Sequence, residues 1–167
     1  MATTYDPIAS TTLTSSASSV AFSSLDTIAA GYRDLILVSN AVGSGSGIDV
    51  YIRLNGDTGS NYNRAYMSGT GSSTYAGTST NATWFFLTAW AALHNSNPWQ
   101  NTFELMDFSA TDKHKSALWR TDQASNYGTE AMAGRWASTS AVTSLVIGTT
   151  SGSFNSGATF ALYGVAA

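Results

Sequence analysis

The fold of this chain is decided by residues 135–164, RWASTSAVTSLVIGTTSGSFNSGATFALYG. In this stretch, runs of alternating apolar and polar residues lie on either side of a turn rich in Ser, Gly and Asn. Alternation with a period of two is typical of a strand with one buried face. Because the same pattern fills most of the chain, the sequence predicts an antiparallel β fold. It describes a core and a surface more clearly than an active site.

Other segments support the same interpretation. Residues 48–55 alternate cleanly, which predicts a strand with Ile48, Val50, Ile52 and Leu54 facing inward. Asn55-Gly56 then gives a strong hairpin-turn signal. Residues 33–40 contain four successive apolar residues, which favours a strand buried on both faces.

The middle of the chain is less regular. Residues 68–80 are rich in Gly, Ser and Thr, and we expect them to form the longest exposed loop. Residues 83–93 form an apolar run short enough to suit a helix or a strand, and the β context favours a strand.

Together these segments predict about nine or ten short strands with turns every 8–12 residues or so, which is typical of an all-β antiparallel sandwich of jelly-roll type. A length of 167 residues fits a single domain. Polar chain ends fray unless they are held. We therefore expect residues 1–10 to form an N-terminal arm resting on a partner, and residues 11–167 to form the sandwich.

Charge is scarce in this protein. Only 10% of the residues are charged, against about 25% in an average soluble domain. A surface of Ser, Thr, Asn and Gly is cheaper to desolvate than a charged one, which favours a surface that lies against a partner. The alternative is a secreted or virion-type β protein that uses Ser and Thr as strand filler. A net charge of −3 with scattered Lys and Arg disfavours nucleic-acid binding.

The sequence also bears on the compartment. Cysteine is absent, which disfavours the class of small disulfide-bonded secreted domains. The N-terminus has neither the basic nor the apolar region of a signal peptide, and the longest apolar stretch is too short to span a bilayer. We therefore expect a protein without a membrane partner, made in a cytoplasm, that stays there or joins an assembly.

Candidate catalytic residues are few. Asp57-Thr-Gly matches the aspartic-protease tripeptide, but that chemistry needs two such carboxylates and the tripeptide occurs once. A hydrolase would need His94 or His114 to meet a serine and a carboxylate, and His114 with Asp112 offers one metal-ligand pair at most. Asp107 and other loop carboxylates lack a calcium-loop pattern. The sequence predicts no catalytic residues, cofactor or metal.

Aromatic residues offer better candidates for contacts. The chain has five Trp and eight Tyr, and most of the Trp are expected in the core. Trp99 follows Pro98 in a predicted turn and is expected to be the most exposed Trp. Exposed rings of this kind stack on sugars or form hot spots at protein interfaces, and the sequence does not choose between these uses. The candidate contact residues are Tyr5, Tyr51, Tyr62, Tyr66, Tyr75 and Trp99.

Four segments carry a likeness to a known group of proteins: residues 4–13 with 18–25 (TYDPIASTTL and SSVAFSSL), residues 32–38 (YRDLILV), residues 54–62 (LNGDTGSNY), and residues 138–145 with 160–164 (STSAVTSL and FALYG). In these segments the chain resembles a group of small virion proteins of tailed bacteriophages. The middle of the chain, residues 83–121, carries none of the likeness.

The resemblance implies a non-enzymatic virion structural protein with a jelly-roll-like sandwich, assembled in the bacterial host cytoplasm. We expect a capsid decoration (cement) protein that adheres to the major capsid protein or other virion proteins. Symmetric self-association, for example as a trimer, is also expected. The alternative is a receptor-binding or carbohydrate-binding module of a tail or fibre.

Overall fold

Twelve strands and one short helix lie within residues 5–123 and 128–166, which are the residues that the computed structural model describes. In chain order they are β1 (Tyr5–Thr12), β2 (Ser19–Ser23), α1 (Leu25–Ile28), β3 (Tyr32–Ala41), β4 (Val50–Leu54), β5 (Tyr62–Gly69), β6 (Thr74–Ala82), β7 (Phe85–Phe86), β8 (Trp99–Met106), β9 (Lys115–Gln123), β10 (Gly128–Trp136), β11 (Ser144–Thr149) and β12 (Thr159–Ala166).

The strands form two antiparallel sheets. The larger sheet has eight strands in the order β1-β12-β3-β8-β9-β10-β5-β6, and the smaller has four in the order β2-β11-β4-β7. The apolar core lies between them and includes Ile52 and Ile147 from the smaller sheet and Phe103 and Leu162 from the larger, all at 0% exposure. The predicted all-β antiparallel sandwich is confirmed, with more strands than the nine or ten expected.

Strand β4 shows why the local pattern was informative. Val50, Ile52 and Leu54 are fully buried, as the alternation predicted. Asn55 and Gly56 then adopt positive φ values of 52° and 65°. Both central positions of a type I′ turn need positive φ, which Asn and Gly tolerate best.

Two sequence expectations in the middle of the chain are wrong. Most of the loop expected at residues 68–80 belongs instead to β6, which pairs with β5 from Thr74 to Ala82. Of the strand expected at residues 83–93, only Phe85–Phe86 pairs with β4. Residues 87–93 instead cross the inner face of the larger sheet as an irregular segment.

The N-terminal boundary also differs from the expectation. Residues 5–10 are not a separate arm, because β1 pairs with β12 from Tyr5↔Val165 to Thr12↔Thr159. Strand β1 is therefore an edge of the larger sheet and part of the sandwich. Residues 1–4 of the expected arm lie outside the described residues.

Candidate interaction surfaces

Strand β3 leads to the first surface. The sequence predicted burial on both faces of this strand, and that is wrong for one of them. Leu35 and Leu37 are 1% exposed in the core, whereas Val38 on the other face is 41% exposed. No described part of the chain covers this second face. We call it the outer face, meaning the side of the larger sheet that points away from the smaller sheet.

The outer face is largely apolar. The large apolar side chains exposed on its inner strands are Val38, Leu118 and Met67, at 41%, 46% and 66% exposure, and Tyr5, at 60%, lies on the same face at the β1 edge. The strand registers place the residues of this face in transverse rows. From β1 to β6 the two central rows are Pro7, Tyr163, Ile36, Glu104, Leu118, Ala133, Ala65 and Thr78, then Ser10, Ala161, Val38, Thr102, Arg120, Ala131, Met67 and Ala76.

Charge on these two rows is limited to Glu104 and Arg120, which lie on neighbouring strands β8 and β9. Shallow hollows lie beside them. One of about 220 Å³ is lined by Thr102, Arg120 and Asp122 among others. The face therefore offers small side chains, a few large apolar ones and balanced charge, which is a composition suited to protein contact.

The second surface, which we call the aromatic flank, lies where the smaller sheet ends at β7 and the larger sheet extends beyond it. At one end of the flank, Tyr51 stacks on Trp84 with ring centroids 4.9 Å apart. The Arg53 guanidinium carbon lies 4.9 Å from the Trp84 centroid and 5.3 Å from that of Tyr51, close enough for cation–π attraction. A Cβ added at Gly148 would lie 2.7 Å from the Tyr51 ring, so this glycine lets the ring lie against β11.

In the middle of the flank, Arg64 lies between two rings. Its guanidinium carbon is 5.2 Å from the centroids of both Phe86 and Tyr66. Its Nη1 donates hydrogen bonds to the backbone oxygens of Phe86 at 2.9 Å and Thr88 at 2.7 Å. Burial lowers the pKa of Arg64, with nearby acidic groups opposing the shift. Arg64 thus ties β5 to the segment that follows β7.

The far end of the flank is the most exposed. Tyr75 of β6 stacks on Trp90 with centroids 4.3 Å apart and planes 23° apart. The two side chains are 39% and 42% exposed. A stacked, accessible pair of this kind is a platform on which a flat ligand surface can rest.

A buried polar row holds Trp90 in place. This row crosses the inner face of the larger sheet through Ser39, Asn101, Thr121, Glu130 and Ser68. The Thr121 hydroxyl donates to the Leu87 carbonyl at 2.6 Å. The Glu130 carboxyl accepts hydrogen bonds from the Ala89 amide at 3.0 Å and from the Trp90 amide.

Glu130 is 0% exposed, and its burial raises its pKa, while the backbone amides and Arg64 oppose that shift. Residues 87–93 are therefore fixed by groups far away in the sequence. The local pattern could not have revealed this anchoring.

The six candidate contact residues fall into three groups. Tyr51, Tyr66 and Tyr75 lie on the aromatic flank, and Tyr5 lies 60% exposed on the opposite edge of the larger sheet. Exposure was wrongly expected for Tyr62 and Trp99, which are both 0% exposed.

Both corrections have a physical reason. Tyr62 begins β5 with its ring in the core, and its hydroxyl accepts a hydrogen bond from the Leu54 amide at 3.1 Å. Burial raises the pKa of Tyr62 to about 12. Trp99 is not in the turn after Pro98 but begins β8, opposite Ala41 of β3.

The histidines lie apart from one another in two loops. The Ser96 hydroxyl is 3.0 Å from Nδ1 of His94, and the Ser96 amide also donates to that nitrogen. This is a contact between residues two positions apart on an exposed turn. His114 is exposed just before β9. Within residues 5–123 and 128–166, no group of three His, Cys, Asp or Glu side chains is placed to hold a metal ion.

Asp57 acts as a local acceptor. Its carboxylate accepts hydrogen bonds from the Gly59 amide at 2.8 Å, from Asn61 Nδ2 at 2.8 Å and from Trp136 Nε1 at 2.6 Å. Burial alone would raise the pKa of Asp57, but the three hydrogen bonds and the positive charge of Arg53 together outweigh it, and the pKa is lowered. These bonds fix the loop before β5 against Trp136 at the end of β10.

No described helix is long and apolar enough to cross a membrane.

Comparison with known proteins gives little. No family model matches the chain, and no curated protein matches it. Among solved structures, the chain is similar to a double mutant of the alginate lyase Aly36B in complex with alginate tetrasaccharide, at 9% identity over 78% of this chain and 69% of that chain, with a TM-score of 0.27. A second Aly36B double mutant, in complex with alginate trisaccharide, has 7% identity over 80% and 71% of the two chains and a TM-score of 0.30.

A third similar structure is a protein of unknown function from Shewanella oneidensis MR-1. It has 11% identity to this chain, over 81% of this chain and 59% of that one, with a TM-score of 0.23. Likenesses this low carry no argument about function.

Proposed function

We propose that this chain is a non-enzymatic structural protein of a bacteriophage virion, and that it acts as a capsid decoration protein. One observation carries the proposal: the outer face exposes Val38, Leu118 and Met67 together on one side of a rigid sheet. The run in β3 has the composition of a strand buried on both sides, although the described residues cover only one of them. A partner on the outer face would complete that burial. The sequence resemblance to virion proteins gives the class of partner.

The size of the outer face supports a specific contact. Eight strands spaced about 4.8 Å apart, each with about four outward residues spaced about 6.8 Å apart, give a plane on the order of 700 Å². A standard protein interface buries roughly 800 Å² on each partner. Shell proteins present such sites many times over, so a modest contact, repeated around the particle, can stabilise the lattice.

Electrostatics supports the same use. Glu104 and Arg120 balance each other on the central rows of the outer face. The remaining residues of these rows are uncharged. The central rows therefore have little charge-desolvation cost, and their two charged groups, with Asp122 and Arg135 on the outlying rows, can set the orientation of the face on the partner. The major capsid protein is the partner that this proposal names.

The test uses virions of the phage that encodes the chain. Mass spectrometry of purified particles should find the protein in many copies, and a cryo-electron microscopy map should place its density on the shell with the outer face inward. Particles lacking the protein should bind purified wild-type chain and leave Leu118→Lys in solution. The matched control is Ile28→Lys, which changes an apolar side chain of α1 with 44% exposure.

The control variant should bind the particles like wild type. Absence of the protein from virions would refute the virion role, and density on the tail would refute decoration of the capsid. Equal binding by Leu118→Lys and wild type would refute the outer face as the adhesive surface.

A second function is favoured by the stacked pair Tyr75 and Trp90 on the aromatic flank. An exposed stacked pair of rings suits a carbohydrate, as a receptor-binding module of a tail or fibre would need. If this alternative is right, the protein should bind a glycan in a glycan-array screen, and Trp90→Ala should abolish that binding. The control Tyr5→Ala, at the opposite edge, should keep it. A screen without hits, or a hit indifferent to Trp90→Ala, would remove this candidate.

A further inference from the structure

Strand β6 ends the larger sheet on one side. It pairs with β5 along one edge only, so alternate backbone N–H and C=O groups of the regular stretch from Thr74 to Ser79 point away from the sheet. Such a row of free donors and acceptors is a template for another strand. Natural proteins usually protect an edge of this kind.

The opposite edge is protected and β6 is not. Strand β1 carries Pro7 and a register shift between Pro7 and Ala9, both of which disfavour pairing with another chain. Strand β6 contains neither proline nor charge along the regular stretch. No Asp, Glu, Lys or Arg occurs anywhere between Arg64 and Glu104. Charged residues, above all lysine, are the usual guard of an exposed edge.

We propose that β6 pairs with β6 of a second copy of this chain, antiparallel about a two-fold axis perpendicular to the sheet. Antiparallel self-pairing lets each strand satisfy the other's free backbone groups with one symmetric contact. Two identical strands repel when they carry charge, and this stretch carries none. The two larger sheets then form one continuous sheet.

The side chains fit this arrangement. A perpendicular two-fold axis keeps the outer faces of both copies on the same side, so Ala76 and Thr78 of one copy lie beside the same residues of the other. Met67, next to Ala76 on β5, then borders the joint and loses part of its 66% exposure. The pairing uses the whole free edge of each copy, so it gives a dimer rather than a trimer.

The dimer is independent of what the outer face binds, and its test needs only purified full-length protein. Sedimentation velocity should give a species of twice 17.5 kDa. Ala76→Glu/Thr78→Glu and Ala76→Lys/Thr78→Lys should each be monomeric, because like charges then face each other across the axis. Mixing the two variants should restore a dimer, since opposite charges now meet.

The matched control is Ser10→Glu/Thr12→Glu, which places the same charges on the outer side of the opposite edge strand, β1. It should remain dimeric. Circular dichroism verifies that each variant is folded. Amide hydrogen exchange of the wild type provides a second readout that needs no variant, because protection of residues 74–79 should rise with protein concentration.

A wild type that stays monomeric at every concentration would overturn the proposal. So would a dimer whose β6 amides gain no protection, or folded charge variants that do not recombine when mixed. Dissociation of the β1 control to the same extent would also overturn it.

Discussion

Replacing Glu130 by Ala tests whether the buried polar row holds residues 87–93 in place. The carboxyl accepts the amides of Ala89 and Trp90, and Glu130 is fully buried. Leaving a buried amide without its acceptor costs about 1–3 kcal/mol. Two such amides, less the burial cost of the removed carboxyl, give a loss of about 3 kcal/mol. For a domain of this size that is roughly 6–12 °C in Tm.

Differential scanning calorimetry measures the loss, and amide hydrogen exchange locates it. Exchange of Ala89 and Trp90 should accelerate in Glu130→Ala more than exchange in β8 or β9. Glu104→Ala on the outer face of the same sheet is the matched control, and it should change stability by no more than about 0.5 kcal/mol. If Glu130→Ala melted within about 2 °C of wild type, or left both amides equally protected, the anchoring role would be refuted.

Three further predictions concern stability. The pKa of Asp57 is lower in the folded chain than its usual value, so its ionised carboxylate stabilises the fold at neutral pH. This stabilisation is lost as the pH falls through the unfolded and then the folded pKa. In thermal melts, Asp57→Asn should therefore lower Tm at pH 7 and lower it much less at about pH 3. Lys115 is 0% exposed, and its Nζ donates a hydrogen bond to the Ala110 carbonyl at 2.6 Å. Lys115→Met should therefore lower the free energy of unfolding, measured in urea, by about 1–3 kcal/mol. Lys113→Met, at an exposed neighbouring position, should change it very little. A Cβ at Gly164 would lie 2.4 Å from the Tyr32 ring, so Gly164→Ala should destabilise by about 1–3 kcal/mol, and Tyr32→Ala in the same chain should remove most of that penalty.

The sequence could predict those parts of the fold that depend on neighbouring residues in the chain. The alternation of Val50, Ile52 and Leu54 fixes which face of β4 is buried, because side-chain direction in a strand has a period of two. Asn55-Gly56 fixes the turn that follows, because both residues tolerate positive φ.

The parts that sequence missed depend on distant partners. Residues 87–93 leave the strand conformation because Glu130 and Thr121 supply hydrogen bonds from β10 and β9. Strand β6 was expected to be a loop because residues 68–80 are rich in Gly, Ser and Thr and lack alternating apolar residues, and pairing with β5 makes most of them a strand nonetheless.

The candidate site was predictable only in part, for the same reason. Three of the six candidate contact residues, Tyr51, Tyr66 and Tyr75, lie on the aromatic flank, but the neighbours Trp84 and Trp90 were not among the candidates. The exposed turn expected at Trp99 is wrong because Pro98, although typical of a turn, can also directly precede the first residue of a strand.

The position of β12 has a consequence for how the protein is made. This strand is the last of the described chain, yet it lies between β1 and β3, two of the first to leave the ribosome. Strand β11 is likewise placed between β2 and β4. Neither sheet can therefore be complete before β11 and β12 have been synthesised, and the earlier strands lack these neighbours until then. Pairing between strands so distant in sequence is slow, and the unpaired edges of the earlier strands are prone to aggregation until it is complete.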